Sequence, residues 1–238
     1  MTGLGGSIEE ELAALARRYG LDDLSRRHLV ALLEGLSGDP RAPTTVRPPQ
    51  AALEAHIADS LVALELAEVG RAARIADLGS GAGFPGLVLA SALPNARVWL
   101  VESQARKCSF IASLAARAGL ANARVVCARA EQWEAGEGQQ DLVVSRALAP
   151  QPVVLEYAAP LLGEGGHLVE WRGARSAQEE RQSAVAADLL GLALVEVRHV
   201  NPFAGARERH LHVFRKVAAT PAGFPRRAGL ARKRPLGG

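Results

Sequence analysis

The stretch "IADLGSGAGFPG", residues 75–86, sets four glycines and one carboxylate into twelve positions. Glycine has no Cβ, so such a run lets the backbone approach a ligand closely. Several ligands use a glycine turn, and the neighbouring residues separate them. A phosphate-binding P-loop needs a lysine followed by Ser or Thr after its last glycine, but Leu87 and Val88 follow Gly86. A hydrolase nucleophile elbow needs Gly-x-Ser-x-Gly, but Leu78 stands two residues before Ser80. Residues 81–86, "GAGFPG", do match the GxGxxG of dinucleotide sites. Asp77 argues against that ligand, because a carboxylate beside the turn repels a pyrophosphate. S-adenosylmethionine carries no phosphate and has an ammonium and a sulfonium near its methionyl end. Asp77 beside those cations is favourable, and Gly79, Ser80, Gly81, Gly83 and Phe84 are the expected cradle.

Three further positions fit this ligand. Glu102 stands 21 residues after Gly81 at the end of "ARVWLVES", with Ser103 next to it, where an acidic side chain hydrogen-bonds ribose hydroxyls. Dinucleotide enzymes use the same device, so Glu102 speaks for the fold more than for the ligand. Ala130 and Glu131, in "VVCARAEQW", fall where backbone amides and a carboxylate read an adenine edge. "DLVVSRALAP" brings Ser145 and Arg146 to the mouth of the crevice.

The elements that hold these residues follow from periodicity. Helices are expected over 7–19, with Ser7 and Glu10 as a capping box, over 24–36, and over 50–69. From Arg74 short apolar runs alternate with helical segments. Strands are expected at 74–78, 97–102, 123–128, 140–145, 166–171, 192–199 and 209–215, and helices at 85–92, 105–118, 151–161 and 176–190. Strand–helix alternation implies a parallel sheet with helices on both faces. The last two strands have a loop between them, residues 200–208, so they should be antiparallel. The expected fold is α/β, the Rossmann-like layout of class I methyltransferases: a seven-stranded, mostly parallel sheet with one antiparallel strand. Its expected divisions are an N-terminal helical cap (1–70), a methyltransferase domain (71–217) and a basic, flexible tail (218–238).

Composition narrows the classes. At 238 residues and 48% apolar, the chain is long enough for a substantial core. The longest charge-free apolar stretch, about residues 82–94, contains Gly and Pro and is too short to span a bilayer. Glu9, Glu10 and Glu11 are unlike a secretion signal, and two cysteines without a CxxC suit reduced thiols, so a cytoplasmic protein is expected. From Arg209 onward there are eight basic residues and no acidic ones. Subtracting eight from the net +3 leaves −5 for residues 1–208. A basic tail on an acidic body suits an anionic polymer or a solvated end.

In order along the chain, "HIADS" (56–60), "DLGSGAGFPG" (77–86), "VES" (101–103), "RKCSF" (106–110), "RAEQW" (129–133), "SRA" (145–147) and "RHLHVFRK" (209–216) together resemble the small-subunit ribosomal RNA guanine-N7 methyltransferases, also called glucose-inhibited division protein B. The resemblance covers about residues 24–215. The Gly-Phe-Pro-Gly turn and the His-x-x-Asp-Ser segment are fairly specific to it. The resemblance implies that Gly79, Phe84, Ala130, Glu131 and Arg146 contact S-adenosylmethionine. It also implies that the acceptor is a guanine in the decoding region of 16S ribosomal RNA. Two departures stand out. The family's Asn-Leu-Thr is replaced by "APTTVRPP", leaving only Thr45 to correspond, and its Lys-Gly after the fifth strand is Arg172-Gly173 here. Arginine and lysine present different donors, so an RNA contact at Arg172 is not carried over unchanged.

Guanine N7 has an exposed lone pair and no proton, so its methylation needs positioning and water exclusion rather than a general base. No catalytic acid–base residue and no metal are expected. Arg129 and Arg146 can hold phosphates or donate to guanine O6. Arg146 beside a sulfonium requires a partner, with Asp77 and Glu131 the expected candidates. His56 and Asp59, three apart on one helical face, fit a structural tie to the glycine turn better than a catalytic pair. Arg172, Arg209, His210, Arg226, Arg227, Arg232, Lys233 and Arg234 complete the expected RNA contacts. The expected partner is 16S ribosomal RNA or the small ribosomal subunit, bound by a monomer. Three other readings stay open: a methyltransferase of the same fold acting on a small molecule or protein, an NAD-dependent oxidoreductase, and an RNA-binding module without catalysis.

Overall fold

The structure, a computed structural model, describes residues 4–238. Its centre is a seven-stranded sheet in the order β3-β2-β1-β4-β5-β7-β6. The strands are β1 (Arg74–Leu78), β2 (Arg97–Glu102), β3 (Ala123–Cys127), β4 (Gln140–Arg146), β5 (Leu162–Arg172), β6 (Leu192–His199) and β7 (His210–Lys216). All neighbouring pairs from β3 to β5 are parallel, and β7 runs antiparallel to both β5 and β6. The chain turns back on itself between β6 and β7 through a helix-free loop, which is why that strand reverses. β1 and β4 flank the point where the strand order changes direction, and a ligand crevice opens beyond the carboxyl ends of strands there.

Register gathers the chemistry at that end. Leu78 pairs with Val101 and Ser145, Arg146 with Trp171, and Arg172 with His210. Because β7 is antiparallel, it begins where the parallel strands end. Residues 209 and 210 therefore reach the same rim as residues 146 and 172.

Helix α1 (Gly6–Arg18) begins one residue before Ser7, with Gly5 at its N-cap and no side-chain cap. The expected capping box is absent, since Ser7 lies inside the first turn. Helix α2 (Asp23–Gly38) is capped by Asp22, whose Oδ1 accepts from the Ser25 amide at 2.7 Å. The single helix expected over 50–69 is broken. Short α-helices α3 (Pro49–Ala52), α4 (Asp59–Leu61) and α5 (Ala67–Arg71) are joined by a π-helical segment, Leu53–Ala58, and a 3-10 turn, Val62–Glu65. The later helices are α6 (Gly86–Ala92), α7 (Ala105–Arg117), α8 (Gln151–Ala158), α9 (Ala177–Leu190) and α10 (Leu230–Lys233).

One apolar core joins Leu12, Leu29, Leu33 and Ile57 to Val98, Leu100 and Ile111, so the N-terminal helices and one sheet face share a single interior. A second core on the other face gathers Val143, Val154, Leu155 and Phe214 under α8 and α9. Ala231 from the tail belongs to this second core, with Phe224 and Leu236 packed against it. The 218–238 segment, expected to be flexible, lies along α8 and carries α10. No helix among the described residues is long and apolar enough to cross a membrane.

Candidate functional site

The glycine turn leaves β1 and enters α6, as its position in the sequence requires. Its amides are committed internally. Those of Gly79 and Ser80 donate to the Val101 carbonyl, at 2.8 and 3.2 Å, and those of Gly83 and Phe84 to the Ser80 carbonyl, at 2.7 and 3.2 Å. The Gly81 amide donates to Glu102 Oε2 at 3.1 Å, and the Gly86 amide to Asp77 Oδ2 at 2.9 Å. A pyrophosphate site needs such amides free to converge on the anion, and these six are taken.

Asp77 does this work from below rather than from the cavity wall. It is 1% exposed, and it holds the first turn of α6 through Gly86. A Cβ at Gly86 would lie 2.7 Å from Asp77 Oδ2, so only glycine permits the contact. Burial pushes the Asp77 carboxyl up to about 6, against the Gly86 amide, Ser80 and nearby Arg146. Its Oδ1 has no partner among the described residues. Asp77, expected beside the ligand's cations, uses one carboxylate oxygen to shape the turn and is not among the residues that line the two cavities.

Two cavities meet over the turn, sharing Gly79, Lys107 and Ala147. The smaller, about 220 Å³, is walled by Glu102, Ser103, Arg129, Ala130, Glu131 and Arg232. Glu102 gives one oxygen to Gly81 and the other to the Gln104 amide at 2.9 Å. A carboxylate has about four lone-pair sites, so two hydroxyls of a ribose can still be accepted. Gly81, at φ 60°, has only the Gly79 carbonyl, at 3.8 Å, near the position of a Cβ, so a side chain there would project into open space over the turn. The residues fit an adenosine.

The larger cavity, about 540 Å³, is lined by Thr44, His56, Asp59, Phe84, Arg146, Trp171, Arg172 and Arg209, among others. Arg146 organises it. Its Nη1 donates to Asp59 Oδ2 at 2.7 Å and to the Ala55 carbonyl at 2.9 Å. Its Nη2 lies 3.3 Å from His56 Nδ1. A guanidinium only donates, so Nδ1 accepts and the imidazole proton sits on Nε2, facing Thr44 Oγ1 at 3.1 Å. Burial, then Arg146, hold His56 down to about 4, and its ring stacks on Phe84 at 4.9 Å. The Trp171 indole donates to the Asp59 carbonyl at 2.6 Å, and Arg209 Nε lies 3.5 Å from Asp59 Oδ1. Arg146 is paired, as expected, but with Asp59 rather than Asp77 or Glu131. The π-helical segment carries both His56 and the Ala55 carbonyl into reach, the kind of site where such segments recur. Ala147 follows at φ 55°, a strained conformation for a residue with a Cβ.

Sequence reasoning missed Thr44 and Trp171 as members of this site and named Thr45 instead. The signal was available for Thr44, as one of only two hydroxyls in the proline-rich loop. Nothing local marks Trp171, which reaches Asp59 only through the pairing of β4 with β5.

The expected RNA contacts divide. Arg172 and Arg209 line the larger cavity. Arg172 is held by Glu170 at 3.1 Å and by Glu179. Burial pushes Glu170 up to about 7, opposed by Arg172 and by Gln151, whose Nε2 donates to it at 3.0 Å. Arg129 is half-exposed beside the smaller cavity, 4.0 Å from Glu131. His210 is turned inward, its Nδ1 donating to the Gly173 carbonyl at 3.1 Å. Arg226 is spent on Glu156, which is fully buried, through Nε at 2.9 Å and Nη2 at 2.5 Å. That bidentate pair engages the guanidinium of a residue expected to contact RNA. Arg227, Lys233 and Arg234 are exposed. No cluster of three or more His, Cys, Asp or Glu suited to a metal occurs among the described residues.

Comparison with known proteins identifies the family and the fold. The family model described as rRNA small subunit methyltransferase G matches residues 38–212. Ribosomal RNA small subunit methyltransferase G of Syntrophomonas wolfei is 41% identical over 77% of this chain and 86% of its own length. Its namesake from Rubrobacter xylanophilus is 36% identical over 98% of this chain and 91% of its own. Among solved structures, a SAM-dependent methyltransferase from Aquifex aeolicus superposes with a TM-score of 0.56 at 16% identity, over 78% of this chain and 97% of that one, a likeness of fold. The protein belongs to the ribosomal RNA small subunit methyltransferase G family.

Proposed function

We propose that the protein transfers the methyl group of S-adenosylmethionine to N7 of a guanine in 16S ribosomal RNA. The observation that carries this reading is the pair of cavities meeting at Gly79, Lys107 and Ala147, one adenosine-sized and holding Glu102 and Glu131, the other rimmed by arginines. S-adenosylmethionine supplies a methyl carbon on a sulfonium, which leaves as a neutral thioether when the N7 lone pair bonds to that carbon, and no proton moves.

The chain's own residues position and shield. Glu102 accepts from the ribose, with Ser103 beside it, while Ala130 and Glu131 take the adenine edge. Gly79, Gly81 and Phe84 leave room for the methionyl arm, and Arg146 faces its carboxylate. Asp59 neutralises most of Arg146's charge, so the guanidinium orients the donor without repelling its cationic centre. His56, held neutral and committed on Nδ1, braces Arg146 and Phe84 rather than taking a proton. Arg172 and Arg209, at the outer rim, are placed to meet guanine O6 or a phosphate. Arg227, Lys233 and Arg234 add sequence-independent phosphate contacts. This substrate places the protein's work in the cytoplasm.

The test is transfer of labelled methyl to naked 16S RNA, small subunits and free nucleosides, followed by nuclease digestion. Label recovered as 7-methylguanosine from the ribosomal substrates alone is the expected result. Label on another atom or base overturns the N7 assignment, and label on free nucleosides removes the need for the arginine rim.

A further inference from the structure

Residues 221–236 do not trail away from the domain. Arg226 grips Glu156 at three points, through its amide at 3.1 Å as well as its guanidinium, and its Nη2 also donates to the Arg234 carbonyl at 2.9 Å. The segment is thereby closed into a loop against α8. Between those points, the Gly229 amide, at φ 79°, donates to Glu131 Oε1 at 3.1 Å. Arg232 Nη2 donates to the Leu148 carbonyl at 3.0 Å, and Arg232 lines the smaller cavity together with Glu102 and Ser103. Buried Ala231 seats the backbone between them.

We propose that Gly229–Arg232 forms the outer wall of the donor site, with the Arg232 guanidinium recognising the adenine of S-adenosylmethionine. The inference rests on the reading of the smaller cavity as the adenosine site. One of Arg232's five N–H donors is given to Leu148. Tyr157 shares the guanidinium; the remaining donors can meet purine ring nitrogens, and the planar group can also lie on a purine face. Gly229 fixes one oxygen of Glu131 and leaves the second to accept from the exocyclic amine, so the segment positions a residue of the site as well as adding one. Arg232 accordingly serves the donor, whereas Arg227, Lys233 and Arg234, which line neither cavity, serve the polymer.

Arg232→Ala and Arg232→Lys in the full chain test this by calorimetric titration with S-adenosylhomocysteine and with 5′-methylthioadenosine, which lacks the amino-acid arm. Loss of one charged donor should weaken both ligands equally, about ten-fold. Lysine should fail to restore binding, and melting temperature and RNA affinity should be unchanged. Unchanged nucleoside affinity overturns the proposal, and a fall in RNA affinity alone reassigns Arg232 to the polymer. If the unaltered protein binds neither ligand, the adenosine reading itself falls, an outcome distinct from failure of the variant.

Discussion

Asp59 joins two arginines of the site: its carboxylate pairs with Arg146 and faces Arg209, and its carbonyl receives the Trp171 indole. Removing one member of a buried ion pair leaves the other uncompensated, at a cost of about 3–5 kcal/mol. Asp59→Ala should therefore lower thermal stability clearly. Asp59→Asn, which keeps the shape, should cost less, and melting curves compare the two. His56 gives a pH signature. Its folded-state value is about 4 against 6.5 unfolded, so protons bind the unfolded chain first as pH falls. Its contribution is complete above pH 6.5 and is lost between there and about 4. Relative to His56→Gln, the unaltered protein should lose about 1–3 kcal/mol across that window. Denaturant melts at a series of pH values measure it. Asp77 runs the other way, since its raised carboxyl favours folding at low pH and opposes it as pH climbs from 3.8 towards about 6. The importance of Asp77 was legible in the sequence, but its direction was not. A charge beside glycines in one dimension can face either the cavity or the turn, and only the Gly86 amide decides.

All seven strands were legible from apolar runs, to within a few residues; the signal is strongest at β1 and β4, parallel strands buried on both faces that leave little room for polar side chains. β5 is the largest misjudgement: it begins at Leu162, since Gly163, Gly165 and Gly166 break the apolar pattern without ending the strand. The break in the 50–69 helix was not legible, because its cause is tertiary: Arg146 draws in the Ala55 carbonyl from 91 residues away. The fold of the tail was hidden for the same reason. Its anchor, Glu156, sits 70 residues upstream as the one charged residue of α8. Charge composition alone made Arg226 a solvent-facing cation. Arg226→Ala strands a buried carboxylate and should destabilise by about 3–5 kcal/mol, while the double change with Glu156→Leu should recover much of the loss. A double-mutant cycle in urea reads the coupling directly.

Across the molecule, the basic end divides into cations used inward and cations left outward. Affinity for RNA should fall with salt, and the slope of log affinity against log salt counts the phosphates engaged. Neutralising Arg227, Lys233 and Arg234 together should flatten that slope by about 2 to 3 units, if each meets one phosphate. Arg226→Ala, by contrast, should act first on stability. Filter binding over a salt series separates the two.

The place of β7 has a kinetic side. Among the described residues β6 pairs with β7 alone, yet it precedes it in the chain and lies outside it in the sheet. During folding β6 has nothing to bond to until the later strand is present, and the pair joins the sheet only when β7 docks on β5. Its half-exposed Leu194 and Val195 meanwhile make it a sticky edge. Pulse-labelled hydrogen exchange should find the β6 amides gaining protection no earlier than those of β7, and after those of β1 and β4. A chaperone that shields this part of the nascent chain would raise the yield of active protein without ever touching the methyl-transfer site.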